Sequence, residues 1–204
     1  MSGLVVAADP AAAEPALEGW RRAGASVVRS DRPRGARLNG AAASSSGEVL
    51  LFLHADTRLP KGWAAAVREA VQAGAAGGAF RLAFSGGGPL LAFVAGAANL
   101  RTSVTRVPYG DQAPFVRRDL FEKLGGFAPW PLLEDVDFGR RLRSQGPIAI
   151  LTPSVLTSPR RYLSRGIARN VAKNWSILLR WHLGASPFDL AEEYRGRNEP
   201  DRSR

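Results

Sequence analysis

Residues 48–54 read Glu-Val-Leu-Leu-Phe-Leu-His and constrain the fold more than any other stretch. The apolar side chains follow one another without alternation, so neither face of a strand here could turn to water. Such a run suits a parallel strand covered on both faces. A parallel strand needs a long crossover before its neighbour, usually a helix. The chain must therefore alternate strands with helices and layer them around the sheet.

The remaining sequence supplies those elements. Apolar runs at 3–8, 25–29, 79–84, 112–117 and 148–151 read as further strands. Segments 11–23, 36–46, 63–73, 90–104, 119–124 and 134–145 read as helices, several stopped by glycine. Segment 165–183 is amphipathic, with Ile167, Val171, Trp175, Leu178, Leu179 and Leu183 on one stripe. That helix is expected on the core or in a homodimer contact. Its basic and tryptophan content also permits a peripheral membrane contact. Residues 1–194 are expected to form one α/β domain, and the polar residues 195–204 a tail without fixed structure.

Composition removes several function classes. The chain has no cysteine, which excludes disulfides, cysteine zinc sites and thiol nucleophiles. The net charge is +10, and 25 of the 28 basic residues are arginine, which favours anionic partners. The arginines are spread in pairs and are not interleaved with aromatics. A basic nucleic-acid-binding module is therefore the alternative from another class, and no nucleic-acid partner is expected. No apolar stretch approaches the ~20 residues that span a bilayer. The first residues lack a signal-peptide pattern, so the expected location is cytoplasmic, with a peripheral place at the inner membrane face left open.

Five constellations can carry chemistry. His54-Ala55-Asp56-Thr57 follows the apolar strand, where open parallel sheets bind ligands. Asp56 there can hold a hard divalent cation against a diphosphate, or cap the next helix. Glu134-Asp135-Val136-Asp137 opens a helix. Acids there are favoured by the dipole alone, or one of them serves as a general base; Asp137 points elsewhere and reads as structural. Arg34, Arg37 and Asn39 could grip a nucleotide phosphate or base, or lie solvated. Tyr109-Gly110-Asp111-Gln112 is an acceptor-pocket loop or a plain turn. Arg160-Arg161 could neutralise a leaving diphosphate, or form a surface pair.

Taken in order, these segments resemble family 2 glycosyltransferases, and most of all a small bacterial subgroup whose metal motif reads His-Ala-Asp. The stretches are Arg-Gly-Ala-Arg-Leu-Asn-Gly-Ala from Arg34, Glu-Val-Leu-Leu-Phe-Leu-His-Ala-Asp-Thr-Arg-Leu-Pro from Glu48, Pro-Tyr-Gly-Asp-Gln from Pro108, and Leu-Leu-Glu-Asp-Val-Asp-Phe-Gly-Arg-Arg-Leu from Leu132. The resemblance covers roughly residues 27–194. It implies a GT-A fold, a Rossmann-like mixed sheet flanked by helices that binds a nucleotide diphosphate sugar. It further implies Mn²⁺ or Mg²⁺ at Asp56 with His54 beside it, and a base at Asp135 with Glu134 adjacent. Arg34, Arg37, Asn39, Arg160 and Arg161 match donor-side positions, and Asp111 and Gln112 the acceptor side. The implied reaction is inverting transfer to a hydroxyl acceptor, including a lipid-linked one.

The N-terminus departs from that pattern. The first strand and its turn are missing relative to the family, and the second turn reads Ala7-Ala8-Asp9-Pro10. Asp9 could replace the base-binding aspartate from a displaced position. Three explanations stand: a mis-assigned start, a shift of residues 3–8 into the central position, or a degenerate, inactive relative. Loss of that strand would leave unpaired backbone groups, which are costly unless another segment pairs with them.

Overall fold

The computed structural model describes residues 5–8, 14–22 and 24–196. Its strands are β1 (Val5–Ala8), β2 (Ser26–Arg29), β3 (Val49–Leu51), β4 (Thr57–Arg58), β5 (Gly77–Phe84), β6 (Phe115–Arg117) and β7 (Ile148–Thr157). Its helices are α1 (Glu14–Arg22), α2 (Arg34–Ala43), α3 (Trp63–Gln72), α4 (Gly88–Thr105), α5 (Arg118–Lys123), α6 (Glu134–Leu142), α7 (Arg160–Arg165), α8 (Ile167–His182) and α9 (Pro187–Gly196). Five strands form one mixed sheet in the order β3-β6-β5-β7-β4, and β1 and β2 form a separate parallel pair. The architecture is α/β with a mixed sheet flanked by helices.

Successive residues of β6 face opposite sides of the sheet, as the pleat requires. Val116 packs with Leu50, Phe121, Phe127, Phe138 and Leu142, under α2, α5 and α6. Phe115 packs with Val67, Phe80, Leu82, Ala95 and Val155, under α3 and α4. β5 and β7 run parallel over Gly77↔Ile148 to Phe84↔Thr157, and their register slips between Phe80 and Arg81. Thr152 and Pro153 fall in that slip. A bulge is where a strand tolerates proline, because no ladder bond needs its missing N–H.

Three expectations change. The apolar segment 48–54 is not a central parallel strand: β3 covers Val49–Leu51 at the sheet edge, antiparallel to β6. Leu50 is buried on the α2/α5 side, whereas Leu53 is already exposed. The continuous run thus reflects one buried strand residue and a greasy exit into the site. Segments 112–117 and 148–151 shift as well. Gln112 lies in a 3-10 turn (Gly110–Gln112) ahead of β6, and β7 runs on to Thr157.

The helix expected over 165–183 is α8, with the short α7 before it. Its stripe is only partly used inward: Ile167, Val171 and Leu178 are half-buried, while Trp175, Leu179 and Leu183 are exposed, and the buried Ile177 lies off the stripe. α9 went unforeseen, although Leu190 is fully buried in a cluster with Val107, Leu133, Val136 and Ile177. Proline opens α9 at a first-turn position, where its missing N–H is harmless.

Candidate functional site

α2 begins at Arg34 because Pro33 presets the backbone and the small residues after it allow close packing. Gly35 lies against the chain that leads into α6, and its N–H donates to the Trp130 carbonyl at 2.9 Å. A Cβ on Gly35 would collide with the Ala128 carbonyl. Asn39 fastens the same loop: its amide donates to the Phe127 carbonyl and accepts from the Phe127 N–H, both at 2.9 Å. These bonds bring the start of α2 to the start of α6.

There Arg34 forms an ion pair with Glu134, whose side chain is fully buried. The guanidinium also donates to His54 Nε2 at 2.6 Å. Arginine has only donors, so Nε2 is the acceptor and the ring proton belongs on Nδ1. Burial first, and then the Arg34 charge, lower the His54 pKa to about 4, keeping the ring neutral. Burial also pulls the Arg34 pKa down, while Asp135 supports its charge.

Asp135 sits beside this pair with each oxygen bonded. Oδ2 accepts from the Gly110 N–H at 2.6 Å and Oδ1 from the Val136 N–H at 2.9 Å. Gly110 fills the centre of the group. A Cβ there would stand 2.9 Å from both Asp135 Oδ2 and His54 Nε2, and 3.3 Å from Arg34 Nη2. Leu133 before α6 and Ala113 after the 3-10 turn both adopt positive φ, +65° and +47°. Left-handed backbone in non-glycine residues is strained and gathers at functional sites. Here two such residues flank Asp135 and Asp111, and a third, Arg106, caps the end of α4.

His54-Ala55-Asp56-Thr57 closes as a turn, the Thr57 N–H donating to the His54 carbonyl at 3.1 Å. Asp56 is exposed at its tip, and its carbonyl accepts from the Ser158 N–H at 3.1 Å. That bond joins the turn to the start of α7, which carries the exposed Arg160 and Arg161. Arg34, Arg37, His54, Asp56, Asp111, Glu134, Asp135, Arg160 and Arg161 all line one cleft of roughly 1380 Å³.

Two expected site residues lie elsewhere. Asn39 holds backbone, as described. Gln112 is fully buried and accepts from Thr102 Oγ1 at 2.7 Å, which anchors the loop to α4. Asp137 pairs with Arg141, which also donates to the Leu124 and Gly126 carbonyls. Asp9 lies outside the described residues.

Arg101 was missed, although it is the one charged side chain in α4. It stacks on the Tyr109 ring at 3.4 Å from the centroid. Asp111 lies beside it, half-buried. Burial raises the Asp111 pKa, and Arg101 opposes the rise. Among the described residues, Asp111 Oδ1 and Arg101 Nε and Nη2 are buried without hydrogen-bond partners.

His54 Nε2 is engaged by Arg34 and so is not free to bind a divalent ion, whereas Asp56 presents an exposed carboxylate at the cleft. The described residues contain no group of three or more His, Cys, Asp or Glu able to hold a metal by themselves. Hard ions such as Mg²⁺ are commonly held by one or two carboxylates together with waters and substrate phosphates.

No family model matches the chain, and no curated protein is significantly similar to it in sequence.

Proposed function

We propose that the chain is an inverting glycosyltransferase of GT-A type, using a nucleotide diphosphate sugar. The observation that carries this reading is the convergence of Arg34, His54, Gly110 and Asp135. These four residues come from segments far apart in sequence and meet at one cleft.

In this reading Arg37, Arg160 and Arg161 line the side of the cleft that takes the diphosphate, and Arg34 is held in place by Glu134. Glu134 is thus a positioning residue, since its carboxylate is buried against Arg34. Asp111 and Arg101 line the cleft with buried polar atoms that lack partners, which suit hydroxyls of the acceptor or the sugar. The acceptor oxygen attacks the anomeric carbon, and its proton passes to Asp135. The bond from that carbon to the diphosphate oxygen breaks, and its electron pair leaves with the nucleoside diphosphate. Arginine cations facing the departing oxygens stabilise the charge that develops there. A divalent ion at Asp56, when bound, supplies further neutralisation of the diphosphate.

Asp135→Asn is expected to lower the transfer rate by about 10²–10⁴-fold, the usual share of a general base, with the fold kept at a lower melting temperature, because the amide oxygen can serve only one of the two backbone N–H groups that the carboxylate holds. Asp56→Asn should abolish the dependence on Mn²⁺. Near-normal turnover by the Asp135 variant, measured by nucleoside diphosphate release, would remove that residue from the chemistry.

A second reading, a relative that transfers nothing, draws on the separation of β1 and β2 from the five-stranded sheet among the described residues. Calorimetry with UDP or GDP plus Mn²⁺ separates the two. Saturable binding supports the enzyme, and its absence supports the inactive relative.

A further inference from the structure

α4 is apolar nearly all round, and only one face is used inside. Leu91, Ala95 and Thr102 are buried. Opposite them Phe93 is 74% exposed, Leu100 66% and Val104 74%, spaced seven and four apart along one stripe. α8 repeats the pattern, with Trp175 and Leu179 each 61% exposed and Leu183 78%. The two helices pack together, and Phe93 and Trp175 line the same cleft. Each stripe therefore reaches the cleft through one aromatic side chain, Phe93 from α4 and Trp175 from α8. Scattered apolar surface residues need no explanation, but a joined patch of large side chains does.

The charge around the patch points to its occupant. Residues 70–110 and 138–188, which contain α4, α7 and α8, include no aspartate or glutamate. Arg160, Arg161, Arg165 and Arg169 are exposed on α7 and α8. Among the described residues no helix is long and apolar enough to cross a membrane. The acids nearest to α8 are those of α9, where Glu193 pairs with Arg180; the arginines of α7 and of the start of α8 have none beside them in sequence. An apolar stripe with aromatic side chains and a mainly basic border is the pattern of a helix lying in the headgroup layer of an anionic bilayer. A nucleic-acid surface would use the arginines but would leave the leucines and Phe93 in water.

We infer that the joint α4/α8 face docks on an anionic lipid surface, with the cleft opening beside the bilayer. The inference does not rest on the transferase reading, because docking is measured without donor or acceptor.

Flotation of the full chain tests it, with vesicles of phosphatidylcholine alone and of equimolar phosphatidylcholine and phosphatidylglycerol. The chain should float with the anionic vesicles and far less with the neutral ones. Each cation near an anionic surface contributes roughly a fivefold factor, so Arg165→Glu with Arg169→Glu should weaken binding at least about tenfold. Phe93→Ser, Leu100→Ser, Trp175→Ser and Leu179→Ser together should abolish flotation while the melting temperature is kept, since all four side chains are exposed. Failure of the native chain to float overturns the inference, as does undiminished flotation of the serine variant. A dimer seen by light scattering that the serine substitutions split, with flotation unchanged, would assign the face to a second copy instead.

Discussion

The two ends of the cleft are built by opposite means. At the inner end Arg34, Glu134, His54, Gly110 and Asp135 hold one another through an ion pair and short hydrogen bonds, with a glycine filling the last gap. On its outer side the cleft is lined by the exposed Phe93 and Trp175, with the exposed Leu179 one turn beyond Trp175. The inner end is specified by charge and close approach, so small changes propagate through it. The outer end is specified by composition, so the fold should tolerate changes there and only association should register them.

The sharpest way to break that contrast is Arg34→Ala. It leaves the Glu134 carboxylate buried without its cation. The expected loss is about 3 kcal/mol, the low end for a broken buried pair, because the Arg34 side chain is 32% exposed. Urea unfolding measures it, and a loss within error of zero would show that the pair does not organise the site.

Gly110→Ala comes next. The new methyl presses on Asp135, His54 and Arg34 together, and overpacking costs about 1–3 kcal/mol. Transfer activity should fall by more than stability does, because the displaced atoms are those of the site.

The third effect depends on pH. Neutral His54 has its folded pKa at about 4, below the ordinary histidine value of 6.5. The unfolded chain therefore binds the extra proton between those values. His54 contributes stability that is complete above about 6.5 and is lost as pH falls toward 4. Asp111, whose pKa burial raises, acts in the opposite sense. The His54 share is therefore read as the difference between the native chain and His54→Gln, which should show the shallower loss.

Smallest of all, Phe93→Ser or Leu179→Ser alone should change stability within about ±0.5 kcal/mol, as at other exposed positions. A larger loss in thermal or urea unfolding would show that the outer face is part of the core after all.

Much of this was legible in the sequence. Hydrophobic periodicity and glycine stops located α2, α3, α4 and α6 to within a few residues, and the alternation of elements gave the α/β class. The acidic helix start at Glu134 and the turn at His54 were visible as residue types beyond strand ends or at helix starts. Periodicity carries no partner information, however. It could not say that Glu134 would bind Arg34, that Gln112 would turn inward to Thr102, or that β3 would sit at an edge. The α8 stripe was left between the core, a dimer contact and a membrane surface, because a stripe alone does not say which surface covers it. Arg101 was hidden by an apolar helix that gave no reason to expect a charge at its inner rim.

The separation of β1 and β2 has a mechanical consequence. A two-stranded ribbon is marginal by itself, and this one leans on α2, which packs on both strands and on α6. α2 also starts with Arg34. Whatever fixes Arg34 should therefore steady the ribbon at a distance. Backbone amides of Val6 and Val27 should exchange with solvent deuterium sooner than those of Phe80 and Ile150, and an anion seated at Arg34 should slow them without touching either strand.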